Sequence, residues 1–120
     1  MSVRWYSIVI DTPDPLGLAT WWSKTLGWPV IYEGDGEAVV SESETHEPGL
    51  CFVKVDDPKT VKNRLHIDLA SWPDDDQEAE VQRLLDRGAT RVDVGQGDVS
   101  WVVLADPEGN EFCVLTPRDV

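Results

Sequence analysis

The segments NRLHIDLA, residues 63–70, and WVVLADPEGNEFCVLTP, residues 101–117, decide the fold. In the first, Leu65, Ile67 and Leu69 alternate with His66 and Asp68. That is the period of a strand with one apolar face, and the expected strand runs from Arg64 to Leu69 with Leu65, Ile67 and Leu69 packed on a helix. In the second, apolar runs at Val99 to Ala105 and Glu111 to Thr116 flank Asp106 to Asn110, whose Asp, Pro, Gly and Asn are turn formers. Between the two segments, Asp74 to Asp76 can cap a helix that turns Val81, Leu84 and Leu85 inward and ends at Gly88. A further strand is expected at Arg91 to Val94. From Arg64 onward the order is therefore β-α-β-β-β.

The N-terminal half reads the same way. Val3 to Asp11 is an expected strand in which Tyr6, Ile8 and Ile10 alternate with Trp5, Ser7 and Val9. Asp14 followed by Pro15 forms a helix start, Leu18, Trp22 and Leu26 recur at helical spacing, and Gly27 supplies the stop. Strands are then expected at Trp28 to Glu33, at Glu37 to Glu42 after the Gly-Asp-Gly turn at Gly34 to Gly36, and at Leu50 to Val55 after the acidic loop SESETHEPG. The two helix-ending glycines, Gly27 and Gly88, lie roughly 60 residues apart, long enough for one supersecondary unit per repeat. The expected organisation is one domain over residues 1–120. Its first module covers about 1–57 and its second about 64–118, joined by DDPKTVKN.

Of the 120 residues, 41% are hydrophobic and 28% charged, which suits a soluble globular chain. The net charge of −13, from 23 acidic and 10 basic residues, repels phosphate backbones and anionic lipid, so neither nucleic acid nor membrane is an expected partner. The acid excess suits a cationic ligand or simple solubility. Cys51 and Cys113 sit inside apolar runs without Cys-x-x-Cys spacing. Buried thiols fit a reducing compartment, and with no spanning or cleavage pattern near the N-terminus the expected location is cytoplasmic.

With the elements placed, DTPDPLGLATWWSKTLGWPV at residues 11–30, NRLHIDLA and WVVLADPEGNEFCVLTP resemble the glyoxalase-like branch of the vicinal oxygen chelate superfamily, the glyoxalase, bleomycin resistance and dioxygenase group. The resemblance covers nearly the whole chain. It implies an α+β fold of two tandem βαβββ modules whose curled mixed sheet forms a concave cup for a small organic ligand, commonly in a homodimer. Members include glyoxalase I, extradiol dioxygenases, epimerases, fosfomycin-modifying enzymes and bleomycin-sequestering proteins. A lyase or isomerase, a dioxygenase and a drug-binding protein therefore all stay open.

In metal-using relatives, four cup positions carry His, Glu or Gln ligands. The resemblance places them at Ser7, Phe52, His66 and Cys113. Only His66 is a usual ligand type and Cys113 a possible one, while a catalytic zinc site normally needs three protein ligands. No cofactor is expected, and a divalent metal is disfavoured. If one binds, His66 and Cys113 would hold it, with Asp68, Asp11 or Glu111 as conceivable substitutes. His66 is the candidate catalytic residue, with ligand contact and structural pairing to a carboxylate such as Asp68 as its other readings. Cys113 reads as a packing or ligand-contact residue. Trp5, Trp28 and Trp101, from a set of six tryptophans, are candidates for an aromatic wall or for core or dimer contacts. The expected ligand contacts are Trp5, Ser7, Phe52, His66, Trp101 and Cys113.

Overall fold

Helix α1, Pro15–Leu26, starts where the sequence places it. The Asp14 carboxylate accepts from the Gly17 N–H at 3.1 Å, Pro15 needs no partner for a missing N–H, and Gly27 ends the helix at φ 71°. The computed structural model describes residues 2–118. They divide into two compact units, residues 1–58 and 59–120, with the boundary inside DDPKTVKN.

In the first unit, strands β1 (Ser7–Thr12), β2 (Val30–Gly34), β3 (Glu37–Val40) and β4 (Gly49–Lys54) form one sheet in the order β1-β4-β3-β2. The β1–β4 pair is parallel and the others antiparallel. Ala38 lies opposite Phe52 and Val40 opposite Leu50, so these four side chains share a face, and all four are buried. Helix α1 packs on β3 and β4 and contributes buried Leu18, Ala19, Trp21 and Trp22.

The second unit repeats the order with β5 (Ile67–Ala70), α2 (Gln77–Asp86), β6 (Thr90–Arg91), β7 (Val102–Ala105) and β8 (Glu111–Leu115). Its sheet runs β5-β8-β7-β6, again with a parallel first pair. The Asp76 carboxylate caps α2, and the Gln77 amide donates to the carbonyls of Val114 and Ser100, each at 3.0 Å, which ties the helix start to β8 and to the entry of β7. The turn between β7 and β8 is held by Asp106, whose carboxylate accepts from the Glu108 and Asn110 N–H groups, each at 3.0 Å. The fold is thus two tandem βαβββ modules with one four-stranded mixed sheet in each.

Several expected strands are shorter in the structure. β5 begins at Ile67 instead of Arg64, and Leu65, 87% exposed, does not pack on a helix. β6 ends at Arg91 instead of reaching Val94. The Val94 and Gly95 N–H groups donate to the side chains of Gln96 and Asp93, each at 2.8 Å, so local side-chain bonds take donors a longer ladder would need. Among the described residues, no helix is long and apolar enough to cross a membrane.

Candidate functional site

The parallel pair β5–β8 sorts its side chains by register. Ile67 lies opposite Phe112 and Leu69 opposite Val114, which gives the apolar face. Asp68 lies opposite Cys113, and Cys113 opposite Val103 on β7, so these three share the other face. His66, one residue before β5, joins them. Its Nε2 lies 3.2 Å from an Asp68 carboxylate oxygen, and the two side chains are 47% and 50% exposed. Cys113 is buried at 6% exposure, and the ligating atoms of His66, Asp68 and Cys113 lie within 4.8 Å of one another.

Each member constrains the others. Nε2 is the imidazole nitrogen that faces the Asp68 carboxylate, an acceptor-only group when ionised, which leaves Nδ1 as the ring nitrogen not engaged by Asp68. Burial first, then the charge and hydrogen bond of Asp68, push the Cys113 thiol above its ordinary range, although Lys62 acts weakly the other way. At neutral pH the cluster alone therefore holds a thiol, not a thiolate nucleophile. It combines an acceptor nitrogen, a carboxylate and a neutral S–H donor beside the apolar side chain of Val103.

The segment carrying His66 is held by Glu111, the first residue of β8. Its carboxylate accepts from Lys59 Nζ and from the Asn63 N–H, each at 2.7 Å. Burial alone would raise the Glu111 pKa, but the hydrogen bonds from Lys59 and Asn63, with the Lys59 charge, bring it below the ordinary carboxylate range. Glu111 is therefore committed to the linker and does not join the His66 cluster.

The first unit carries the corresponding positions with different chemistry. Val9 lies opposite Cys51 on the face away from α1, and Ser7 precedes Val9 by two residues, just as His66 precedes Asp68. Phe52 does not belong to this face. It is 0% exposed on the helix-packed side, so the residue of β4 that stands where Cys113 stands on β8 is Cys51. The one-residue difference arises because the strand begins at Gly49 after the acidic loop, and a one-residue slip exchanges the two faces. Burial, then the neighbouring Glu37, raise the Cys51 thiol as well.

Among the described residues, His66, Asp68 and Cys113 are the group of three side chains close enough to share an ion. Asp11 lies on β1 of the first unit, opposite Val53. Trp5, ahead of β1, and Trp101, ahead of β7, are exposed, while Trp28 is partly buried with its ring 6.2 Å from that of His46. Sequence reasoning gave Asp68 the parts of a substitute ligand and of a pairing partner for His66, and it missed Cys51 because Leu50 to Val53 has no charged residue to mark the parity.

Residues 7–115 match a family model described as a glyoxalase-like domain. Solved structures agree in fold. A glyoxalase/bleomycin resistance protein/dioxygenase family enzyme from Burkholderia phytofirmans PsJN is 17% identical, with 93% of this chain and 97% of that one covered, at TM-score 0.68. A possible glyoxalase from Bacillus cereus is 15% identical, with 95% and 99% covered, at TM-score 0.69. The oxidase ChaP-H2 is 16% identical, with 98% and 96% covered, at TM-score 0.62. No curated protein matches the sequence.

Proposed function

The chain belongs to the glyoxalase-like domain family, and from that premise we propose that it binds a small organic molecule on the polar face of its second sheet, with His66 and Asp68 making the polar contacts. One observation carries this reading: a half-exposed imidazole–carboxylate pair sits over a buried thiol and beside an apolar side chain. Small-molecule sites are typically apolar surfaces with a few placed polar groups. His66 Nδ1 would accept a hydrogen bond from the ligand, or its proton, and Asp68 would stabilise the imidazolium that results.

Trp101 supports the same site. It precedes Val103 by two residues at the entry of β7, it is exposed, and the Gln77 amide holds the carbonyl of Ser100 beside it. The Asp68 carboxylate and the net charge of −13 favour a neutral or cationic ligand over an anionic one. An exposed aromatic side chain at the entry of β7 also suits a cationic group. Oxidase, dioxygenase and glyoxalase are names of structural neighbours, and at such low identity they transfer the fold and not a reaction.

A thermal-shift screen of neutral and cationic aromatic compounds tests the reading. A true ligand at about 100 times its Kd adds roughly 2.7 kcal/mol to stability. The stabilisation should disappear in His66→Ala, whose unliganded melting temperature should match wild type. A ligand that stabilises both proteins equally would place binding elsewhere.

A further inference from the structure

We propose that the first module carries a ligand site of its own, for a hydrophobic organic cation, on the sheet face turned away from α1. The site does not depend on the His66 face and is built from different residues. Four side chains, one from each strand, line up across it by register: Val9 lies opposite Cys51, Cys51 opposite Val39, and Val39 opposite Tyr32. The row is apolar from edge to edge, yet Val9 is 56% and Tyr32 53% exposed, with Val39 and Cys51 partly covered. It spans three strand spacings, roughly 14 Å, which is room for an aryl group and its substituent.

The neighbouring row supplies the charge. Gly34 lies opposite Glu37, Glu37 opposite Val53, and Val53 opposite Asp11, so both carboxylates share the face of the apolar row. Among the described residues, no lysine or arginine holds a register position on that face. Tyr32 forms a platform beside Glu37. Gly34 has no side chain, and the hydroxyl end of the Tyr32 ring fills the place that a β-carbon there would take. The ring therefore lies along β2, with its end next to the cross-strand partner of Gly34, which is Glu37. A carboxylate beside an open aromatic ring is a pairing that an ammonium group satisfies twice, by charge and by the π face. The Cys51 thiol hydrogen-bonds to Glu37 and so holds the carboxylate over the apolar row, and a carboxylate with about four lone-pair sites keeps acceptor capacity for the cation.

The rest of the face selects an organic cation over a metal ion. Asp11 and Glu37 stand two strand spacings apart, roughly 10 Å, too far to share one ion, so Asp11 contributes to the negative field only. A hydrated ion gains nothing from Val9, Val39 and Tyr32, whereas a hydrophobic cation takes their exposed surface out of water. The metal ligands that the family resemblance implies belong to the first and last strands, where this module has Ser7 and Cys51, and the charge contact on the β2–β3 hairpin is separate from both.

Calorimetric titration of the full-length protein with (2-phenylethyl)trimethylammonium tests the proposal, with 2-phenylethanol as the uncharged comparison. The expected result is saturable binding of one cation per chain, at least ten-fold tighter than the alcohol and weakened by added salt. Glu37→Gln should raise the Kd at least five-fold and Tyr32→Leu at least three-fold, whereas His66→Ala should leave it unchanged. Gly34→Ala adds a variant that keeps every charge and ring. Gly34 does not adopt a positive φ, so its backbone accepts alanine, but the new methyl displaces the end of the tyrosine ring. Cation binding should weaken at least three-fold while the melting temperature stays near that of wild type. No saturable binding, equal Kd values for cation and alcohol, or a Kd indifferent to Glu37→Gln and Tyr32→Leu would overturn the proposal. Binding lost in His66→Ala but kept in Glu37→Gln would move the cation to the second sheet, which overturns this site and leaves the functional reading standing.

Discussion

Glu111→Gln isolates the device that holds the His66 segment. The substitution keeps the shape of the side chain and an acceptor for the Asn63 N–H, but removes the charge that pairs with Lys59 at 2.7 Å. Both side chains are mostly covered, with 11% of Glu111 and 21% of Lys59 exposed, so solvent screens the pair far less than a surface bridge. Hydrogen bonds to charged groups contribute about 1.5–3 kcal/mol each, and one of the two survives in weakened form, so the expected loss is about 2 kcal/mol. For a chain of this size that lowers the melting temperature by roughly 6–12 °C.

The loss should also depend on pH. The folded protein holds the Glu111 pKa below its ordinary value. As pH falls, the unfolded chain takes up the proton first. The stabilisation is therefore complete above the ordinary carboxylate pKa and disappears as pH drops through the lower folded value. Melting wild type and Glu111→Gln side by side at pH 7 and near pH 3 should show a large gap that closes in acid. Equal melting temperatures at pH 7, or a gap that stays constant down to the acid limit, would refute the assignment of Glu111 as a charged clasp.

Two further outcomes follow from the strand registers. Phe52→Ala should cost about 3–5 kcal/mol in urea unfolding, as large core truncations do, whereas Cys51→Ser should cost much less, because Cys51 lies on the opposite face. Equal costs would put both on the wrong faces. Among the described residues each sheet has one member of its parallel pair, β1 or β5, as an edge strand, and such edges favour association. Sedimentation at micromolar concentration should therefore show a homodimer, and a clean monomer would contradict it.

The sequence carried the fold through its punctuation more than through its apolar runs. Asp14, Asp76 and Asp106 start α1, start α2 and organise the last turn by bonds between a side chain and nearby backbone, while Pro15 and Gly27 bound α1 through the backbone angles they favour. Such local chemistry is readable without knowing what lies across the sheet. The extent of β6 was not readable, because Asp93 and Gln96 had to be seen taking its backbone donors. The site divides along the same line. His66 and Cys113 could be found from their motifs, but Asp68 became their full partner only through the cross-strand pair it forms with Cys113. Phe52 was placed one residue away from Cys51 because the loop before β4 leaves its starting parity open. Pairing between strands distant in sequence resolves what a single strand's alternation cannot.

The most direct measurement is an amide-resolved NMR titration of the labelled protein with the best compound from the thermal screen. Binding at the proposed site should perturb His66, Asp68, Val103 and Cys113 together, with a common saturation curve, and His66→Ala should abolish those shifts. Saturating shifts that leave all four residues unmoved would contradict the assignment of this face as the binding site.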